Sequence, residues 1–265
     1  MPQQQQGTDP AMTSLRITTA LLGTALALNA FSTHAQTGPA PVSPPGGLSD
    51  CASLPALDAR QAALRSTGPL APESAPTKPE LRTELLAMRD SDQQARAAAS
   101  ESARANGGRP EQNLVLQIFA TDHENLLRFR EIIEQDGFPN AAQVGRDGVA
   151  AAFILAQHAD SDRDLQTRVL KLAQPLAVKG EIAPQDLAQL TDRVRIGEGK
   201  PQVYGSQFYP LGGINHPQPI ENARSVDTRR SKAGLIPLRD YGCIMQQAYG
   251  FPVDLKPHEQ IVGTR

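Results

Sequence analysis

A small set of polar residues interrupts the apolar stripes of this chain, and their types are those of acid–base chemistry. Counting along one helical face from Leu81, Leu85 and Met88, the next inward position is Asp92, with Arg96 four residues further on. The stripe Ile118, Leu126, Phe129, Ile133 passes through Asp122 and takes in Asn125, and the face carrying Ile154 and Leu155 runs on to His158. Asp192 and Arg193 directly follow a short fifth helix. Two carboxylates, an amide and an imidazole thus point at the core from three helices. Buried polar groups left without partners cost about 1–3 kcal/mol each, more when charged. Such groups must therefore meet one another, a metal or a ligand, and breaks of this kind gather at functional sites. The ordinary alternative is a set of scattered structural pairs: Asp92 and Arg96 as a half-exposed i,i+4 pair, Asp122 a turn too early to be buried, and His158 as a satisfied histidine near a helix C-terminus.

Among side chains, histidine has the ordinary pKa nearest neutrality, so His158 is the candidate general acid or base, with Asp192 or Asp92 to orient it. Arg193 and Gln202 would hold an anionic or carbonyl-bearing substrate. Read as a strand, residues 202–208 put Gln202, Tyr204 and Ser206 on one face, and Ser206 beside His158 would supply a nucleophile for hydrolase-like or acyl-transfer chemistry. Gln93, Asn125 and Gln207 complete the hydrogen-bonding candidates. A version in which His158, Asp92 and Asp122 hold a metal is a secondary variant; the reading assigns no metal and names no cofactor. The same residues would equally serve a periplasmic module that binds a small molecule or peptide without catalysis, or a structural cluster that only fixes the packing. Sharper motifs fail. Asp160-x-Asp162-x-Asp164 resembles a calcium loop, but Leu165 stands where glycine is needed and Lys171 where the last glutamate belongs. No H-E-x-x-H, G-x-S-x-G or P-loop is present, and His123, His216 and His258 show no ligand spacing.

The elements that must position these residues are mainly helical. Lys78-Pro79-Glu80 opens the first long helix with proline and an acid at favoured start positions, and Asn106-Gly-Gly-Arg-Pro110 ends it. A second runs from about Glu111 to Asp136 and stops at Gly137-Phe138-Pro139. A third, from about Gly145 to His158, is apolar all round and so central to its domain. Asp160-Ser161-Asp162 caps a fourth, and Pro184 starts a fifth, short one reaching about Leu190. Residues 192–196 and 202–208 around the glycine-rich Gly197–Pro201 read as a β-hairpin. Further helices fall at Val226–Ala233 and Leu238–Tyr249. The expected fold class is mainly α: a single helical domain of about five to seven helices with one small β-hairpin, over residues 80–250, followed by a tail, 251–265.

Ahead of that domain, residues 12–35 read as a secretory signal peptide: a short cationic start, the uncharged apolar run Ile17–Ala30, and a small-residue exit at Ala35. An uncleaved anchor is the alternative, and residues 1–11 suit a non-native or over-called leader. Residues 36–79 form a Pro-rich linker, interrupted by a short helix near Leu54–Arg65. The chain is then periplasmic or secreted, with no stable membrane span after cleavage. With 39% hydrophobic residues and a net charge of −2 over 265 residues, collagen and coiled-coil classes drop out, and nucleic acid is set aside as a partner for want of a basic footprint. Oligomeric state is left open. Cys51 and Cys243 are the two cysteines. In an oxidising compartment they are a disulfide candidate; the alternatives are two inert thiols or a nucleophile, although Gly242, Ile244 and Met245 supply no activating base.

Asp92-Gln93-x-x-Arg96, Gly137-Phe138-Pro139, Gln157-His158-Ala159-Asp160, Leu190-Thr-Asp192-Arg193 and Gly199-Lys200-Pro-Gln202-Val-Tyr204-Gly205-Ser206-Gln207 occur in order. Together they resemble a bacterial domain-of-unknown-function family with D-Q-x-x-R, G-W/F-P, Q-H-A-D, L-x-D-R and G-K-x-Q-x-Y-G-T-Q blocks. The tail from Val226 to Tyr241 is similar to its last block. The resemblance spans about residues 80–245 and departs in Phe138, where tryptophan is common, and Ser206, where threonine is usual. It implies a common fold and a common site, and brings no known reaction.

Overall fold

The architecture is that of a computed structural model, which describes residues 47–65, 75–107, 109–250 and 252–256. The signal-peptide reading lies outside these residues. Eight α-helices are present among them: α1 (Leu54–Arg65), α2 (Pro79–Ala105), α3 (Gln112–Asp136), α4 (Ala141–His158), α5 (Arg163–Val178), α6 (Pro184–Gly197), α7 (Val226–Lys232) and α8 (Leu238–Tyr249). A two-stranded antiparallel sheet, β1 (Phe208–Leu211) and β2 (Ile214–Pro217), stands between α6 and α7. The mainly helical class with one small hairpin is thus the observed one. No described helix is long and apolar enough to cross a membrane.

Local sequence explains the boundaries. Proline stands in the first turn of both α2 and α6, where its missing N–H costs nothing. Asn140 accepts from Gln143 N while the Gln143 side chain accepts from Asn140 N, a reciprocal cap that starts α4. Gly145 then breaks α4 after its first turn with φ 72° and ψ 166°, a conformation open to glycine. Asp162 caps α5 by accepting from Leu165 N.

α4 is the centre, packed against α2, α3, α5 and α6. Its Val149, Phe153, Leu155 and Ala156 meet Leu85 of α2, Phe129 and Ile133 of α3, Val169 of α5 and Leu190 of α6 in the main core. A second apolar cluster gathers Leu57, Phe208, Val226, Ile236, Tyr241, Met245 and Val253. Here α1 lies on α8, and the Cys51–Cys243 disulfide (Cα–Cα 5.6 Å) joins the segment before α1 to α8. The stretch read as linker therefore contains an ordered helix whose Leu57 is fully buried.

Two local expectations are corrected. Residues 192–196 are not a strand: α6 continues to Gly197, because Leu187, Leu190 and Val194 keep a helical stripe against the core. The hairpin lies further on, with Phe208 opposite Pro217 and Leu211 opposite Ile214. It turns on Gly212 (φ 60°) and Gly213 (φ 84°), the two positive-φ positions that a tight two-residue turn requires. Gln202, Tyr204 and Ser206 accordingly share no strand face; Gln202 makes only an isolated bridge to Ile220.

Candidate functional site

Asp92 projects from the middle of α2, Asp122 and Asn125 from α3, and His158 from the last position of α4. These four line one small cavity with Leu126, Leu155 and Ala159. Its volume is about 10 Å³, room for about one water molecule. The three helices cross here because their apolar stripes meet on α4, and the polar residues occupy the next stripe positions along. Asp92 is fully buried, and the side chains of His158 and Asp122 are 8% and 20% exposed.

The hydrogen bonds define the centre. His158 Nδ1 lies 2.6 Å from Asp92 Oδ1, and Gln93 Nε2 donates to Asp92 Oδ2 at 2.7 Å. Arg96 Nη2 donates to Asp122 Oδ2 at 3.0 Å, while its Nη1 lies 3.4 Å from Asp92 Oδ1. Asn125 Nδ2 donates to the Met88 carbonyl at 3.2 Å, tying α3 to α2. Arg96 Nη1 is buried beside Asp92 without a hydrogen bond. Asp122 Oδ1 is buried without a hydrogen bond, and neither His158 Nε2 nor the Asn125 carbonyl oxygen receives one.

Burial, and then the Arg96 charge, hold the His158 imidazole below its ordinary value against the pull of Asp92. The ring is therefore neutral at neutral pH. Since Asp92 can only accept, Nδ1–H is the donor and Nε2 keeps its lone pair. Burial pushes the Asp92 carboxyl up, but the hydrogen bond from His158, the Arg96 charge and the Gln93 amide outweigh it, and the net direction is down. Asp122 goes the other way: burial outweighs Arg96 and raises it.

Asp192 and its neighbours on the 202–207 loop form a different cluster. The Asp192 carboxylate accepts from Val203 N (2.6 Å), Tyr204 N (2.9 Å), Ser206 N (2.9 Å) and the Ser206 hydroxyl (2.9 Å). Burial outweighs these donors and raises its pKa. Gln202 is fully buried, donating to the Gln207 and Gln218 carbonyls and accepting from Gln207 N. Gln207 Nε2 donates to Ser206 Oγ. The structure thus pairs Ser206 with Asp192 and orients His158 with Asp92, so the expected meeting of Ser206 with His158 is corrected. Arg193, one residue round α6 from Asp192, forms an ion pair with Asp160 just past the end of α4, and its charge reaches His158. Tyr204 lines a separate groove of about 490 Å³ between α5, α6 and α7, with Thr191, Arg229 and Lys232.

Sequence reasoning passed over Gln166 of α5. Fully buried, it donates through Nε2 to the carbonyls of Ala156 and Gln157 and to Asp160, so it holds the end of α4 that carries His158. The signal was present: Gln166 shares the inward row of Val169 and Ala173. Arg230 was missed as well. It is buried, donates to the Ile236 and Tyr204 carbonyls, and lies over the Tyr241 ring.

Fold and centre together define a helical domain carrying an Asp–His pair, with a second carboxylate, around a water-sized cavity. Residues 79–254 match the Family of unknown function (DUF6624), and the chain belongs to that family. No curated protein and no solved structure matches it.

Proposed function

We propose that this chain is an exported, hydrolase-like protein whose reaction centre is the Asp92–His158 pair with Asp122. One observation carries the reading: a neutral imidazole fixed through Nδ1 to a buried carboxylate, its Nε2 unpartnered, beside a cavity that fits one water. In that arrangement Nε2 takes a proton from the water as its oxygen adds to the scissile carbon of the substrate, and the imidazolium then returns that proton to the leaving group as its bond breaks. Asp92 holds the tautomer and stabilises the imidazolium that forms, and Asp122 Oδ1 accepts the water's second hydrogen. General-base catalysis of this kind contributes about 10²–10⁴-fold. The disulfide supports export, because such bridges persist in oxidising compartments.

The test is turnover of a panel of neutral chromogenic esters, amides and glycosides by the full chain. His158→Gln should lower kcat by about 10²–10⁴-fold with KM little changed. Asp92→Asn, which sets the wrong tautomer, should follow it. A substrate hydrolysed equally well by His158→Gln refutes the assignment.

A second reading, a binding module without catalysis, is favoured by the groove beside Tyr204, whose Lys232 and Arg229 rim suits an anionic small ligand or peptide end. Saturable binding lost in Lys232→Glu and kept in His158→Gln would select it.

A further inference from the structure

The cavity between α2, α3 and α4 is lined by acceptors. Among its lining residues, the polar atoms left without a hydrogen bond are His158 Nε2, Asp122 Oδ1 and the Asn125 carbonyl oxygen. The Asn125 assignment follows from its partner, since only the amide nitrogen can donate to the Met88 carbonyl. Asp92 is spoken for at both oxygens, by His158 and Gln93. A group of unpaired acceptors around a space for one small particle attracts a cation. One donor atom each from Asp92, Asp122 and His158 lies within 4.8 Å of the others. Tetrahedral ligands at about 2.0–2.2 Å from one ion stand roughly 3.3–3.6 Å apart, so these carboxylate and imidazole groups are gathered on the scale of a single ion.

We infer that this cavity is a divalent transition-metal site, with His158 Nε2, Asp122 Oδ1 and the Asn125 carbonyl oxygen as protein ligands and water completing the shell. Asp92 is then not a ligand but the group that orients one: metal-bound histidines almost always donate their other ring nitrogen to a carboxylate or carbonyl, and the Asp92–His158 hydrogen bond is that contact. A nitrogen ligand with two oxygens selects zinc, manganese, cobalt or iron over calcium and magnesium, which prefer all-oxygen shells. Arg96 occupies Asp122 Oδ2 and leaves Oδ1 to the ion. The inference does not depend on hydrolysis. The ion and the free water exclude each other. With the ion bound, His158 serves as a ligand, and the nucleophile in any hydrolysis is the metal-bound water, whose pKa the ion lowers.

The experiment is isothermal titration of the chelator-stripped full chain with zinc, manganese and cobalt chlorides, alongside the visible spectrum of the cobalt form. One ion per chain is expected, with a cobalt spectrum of nitrogen and oxygen ligation. His158→Gln and Asp122→Asn should each weaken binding at least about 100-fold, and Asp92→Asn about 10–100-fold; His123→Gln should change nothing. Circular dichroism of every variant checks that it is folded. Binding weaker than about 1 mM, or binding that survives Asp122→Asn in a folded chain, overturns the site. If no ion binds and turnover still depends on His158, the metal site falls and the general-base reading stands. If the ion binds as described and no substrate in the panel turns over, the reverse holds.

Discussion

Replacing Asp192 with alanine removes, in one step, the acceptor for Val203 N, Tyr204 N, Ser206 N and the Ser206 hydroxyl. The hydroxyl can rotate to another partner; the three N–H groups cannot. Ser206 is buried, whereas Val203 and Tyr204 are half-buried and recover part of their loss to water. A buried donor left unpaired costs about 1–3 kcal/mol. Taking about 2 kcal/mol for Ser206 N–H and about 1 kcal/mol for each of the other two gives a loss of about 4 kcal/mol. That is a large share of the roughly 5–15 kcal/mol that holds a domain together, and for a domain of this size it lowers Tm by roughly 8–16 °C. His158→Ala is the comparison. Asp92 then keeps Gln93 and the neighbouring Arg96 charge, so the loss should be about 1–2 kcal/mol. Urea unfolding at neutral pH, followed by far-UV circular dichroism, measures both. A loss below about 1 kcal/mol in Asp192→Ala refutes the view that this carboxylate anchors the 202–207 loop. A loss in His158→Ala equal to that of Asp192→Ala makes the Asp92–His158 pair scaffolding and removes the basis for an active centre.

Because the folded chain holds the His158 pKa down, the stabilisation it gives is complete above the ordinary histidine value near about 6.5 and is lost as pH falls toward the folded value. With chelator present, Tm of the parent should therefore decline below about pH 6.5 more steeply than that of His158→Gln; parallel curves contradict a buried neutral ring. Reducing the Cys51–Cys243 bridge, or replacing both cysteines with serine, opens a loop with a sequence separation of 192. The chain-entropy relation puts the cost at up to about 5 kcal/mol. Melting with and without reductant reads this directly, and limited proteolysis should then cut near α1; an unchanged Tm and digest argue against it. Phe153 is 2% exposed and meets Phe138 edge-on at 6.2 Å, so Phe153→Ala should cost about 3–5 kcal/mol in urea unfolding, and a cost under about 1 kcal/mol would show that the α4 core is not close-packed there.

Helices were legible where caps and a 3.6-residue stripe agreed. Leu54–Arg65 and Leu238–Tyr249 have the expected ends, and α2 starts at Pro79 with Glu80 beside it. The meeting of Asp92, Asp122, Asn125 and His158 was legible for the same reason, since each occupies an inward row of its helix. The hairpin was misplaced because Val194 and Ile196 alternate with Arg193 and Arg195 over a span too short to separate period 2 from period 3.6. The glycines at 197 and 199 then looked like its turn, whereas they end α6, Gly199 with φ 72°. The actual turn, Gly212-Gly213, was hidden by Pro210 and Pro217 in its strands, residues that ordinarily argue against a strand interior. A two-stranded sheet with open edges tolerates them.

Which carboxylate orients His158 could not be read from spacing, because Asp92 and Asp192 present the same sequence picture: an inward acid with an arginine close by. The distinction is one of direction around α6. Successive residues on a helix diverge by about 100°, so when Asp192 faces the 203–206 backbone, Arg193 must face elsewhere, and it faces Asp160 at the end of α4. One turn of α6 therefore fixes two things at once: the loop of the C-terminal layer through Asp192, and the end of α4 through Arg193. Gln166 closes the same corner from α5 by holding the Ala156 and Gln157 carbonyls and Asp160. Displacing Arg193 leaves Asp160 to Gln166 and Arg163 and removes a positive charge that helps keep His158 neutral. Arg193→Met should thus raise the His158 pKa, read from its ring carbon proton shifts against pH, even though Arg193 makes no hydrogen bond to the imidazole. An unchanged titration would mean that α6 supports the cavity by packing alone.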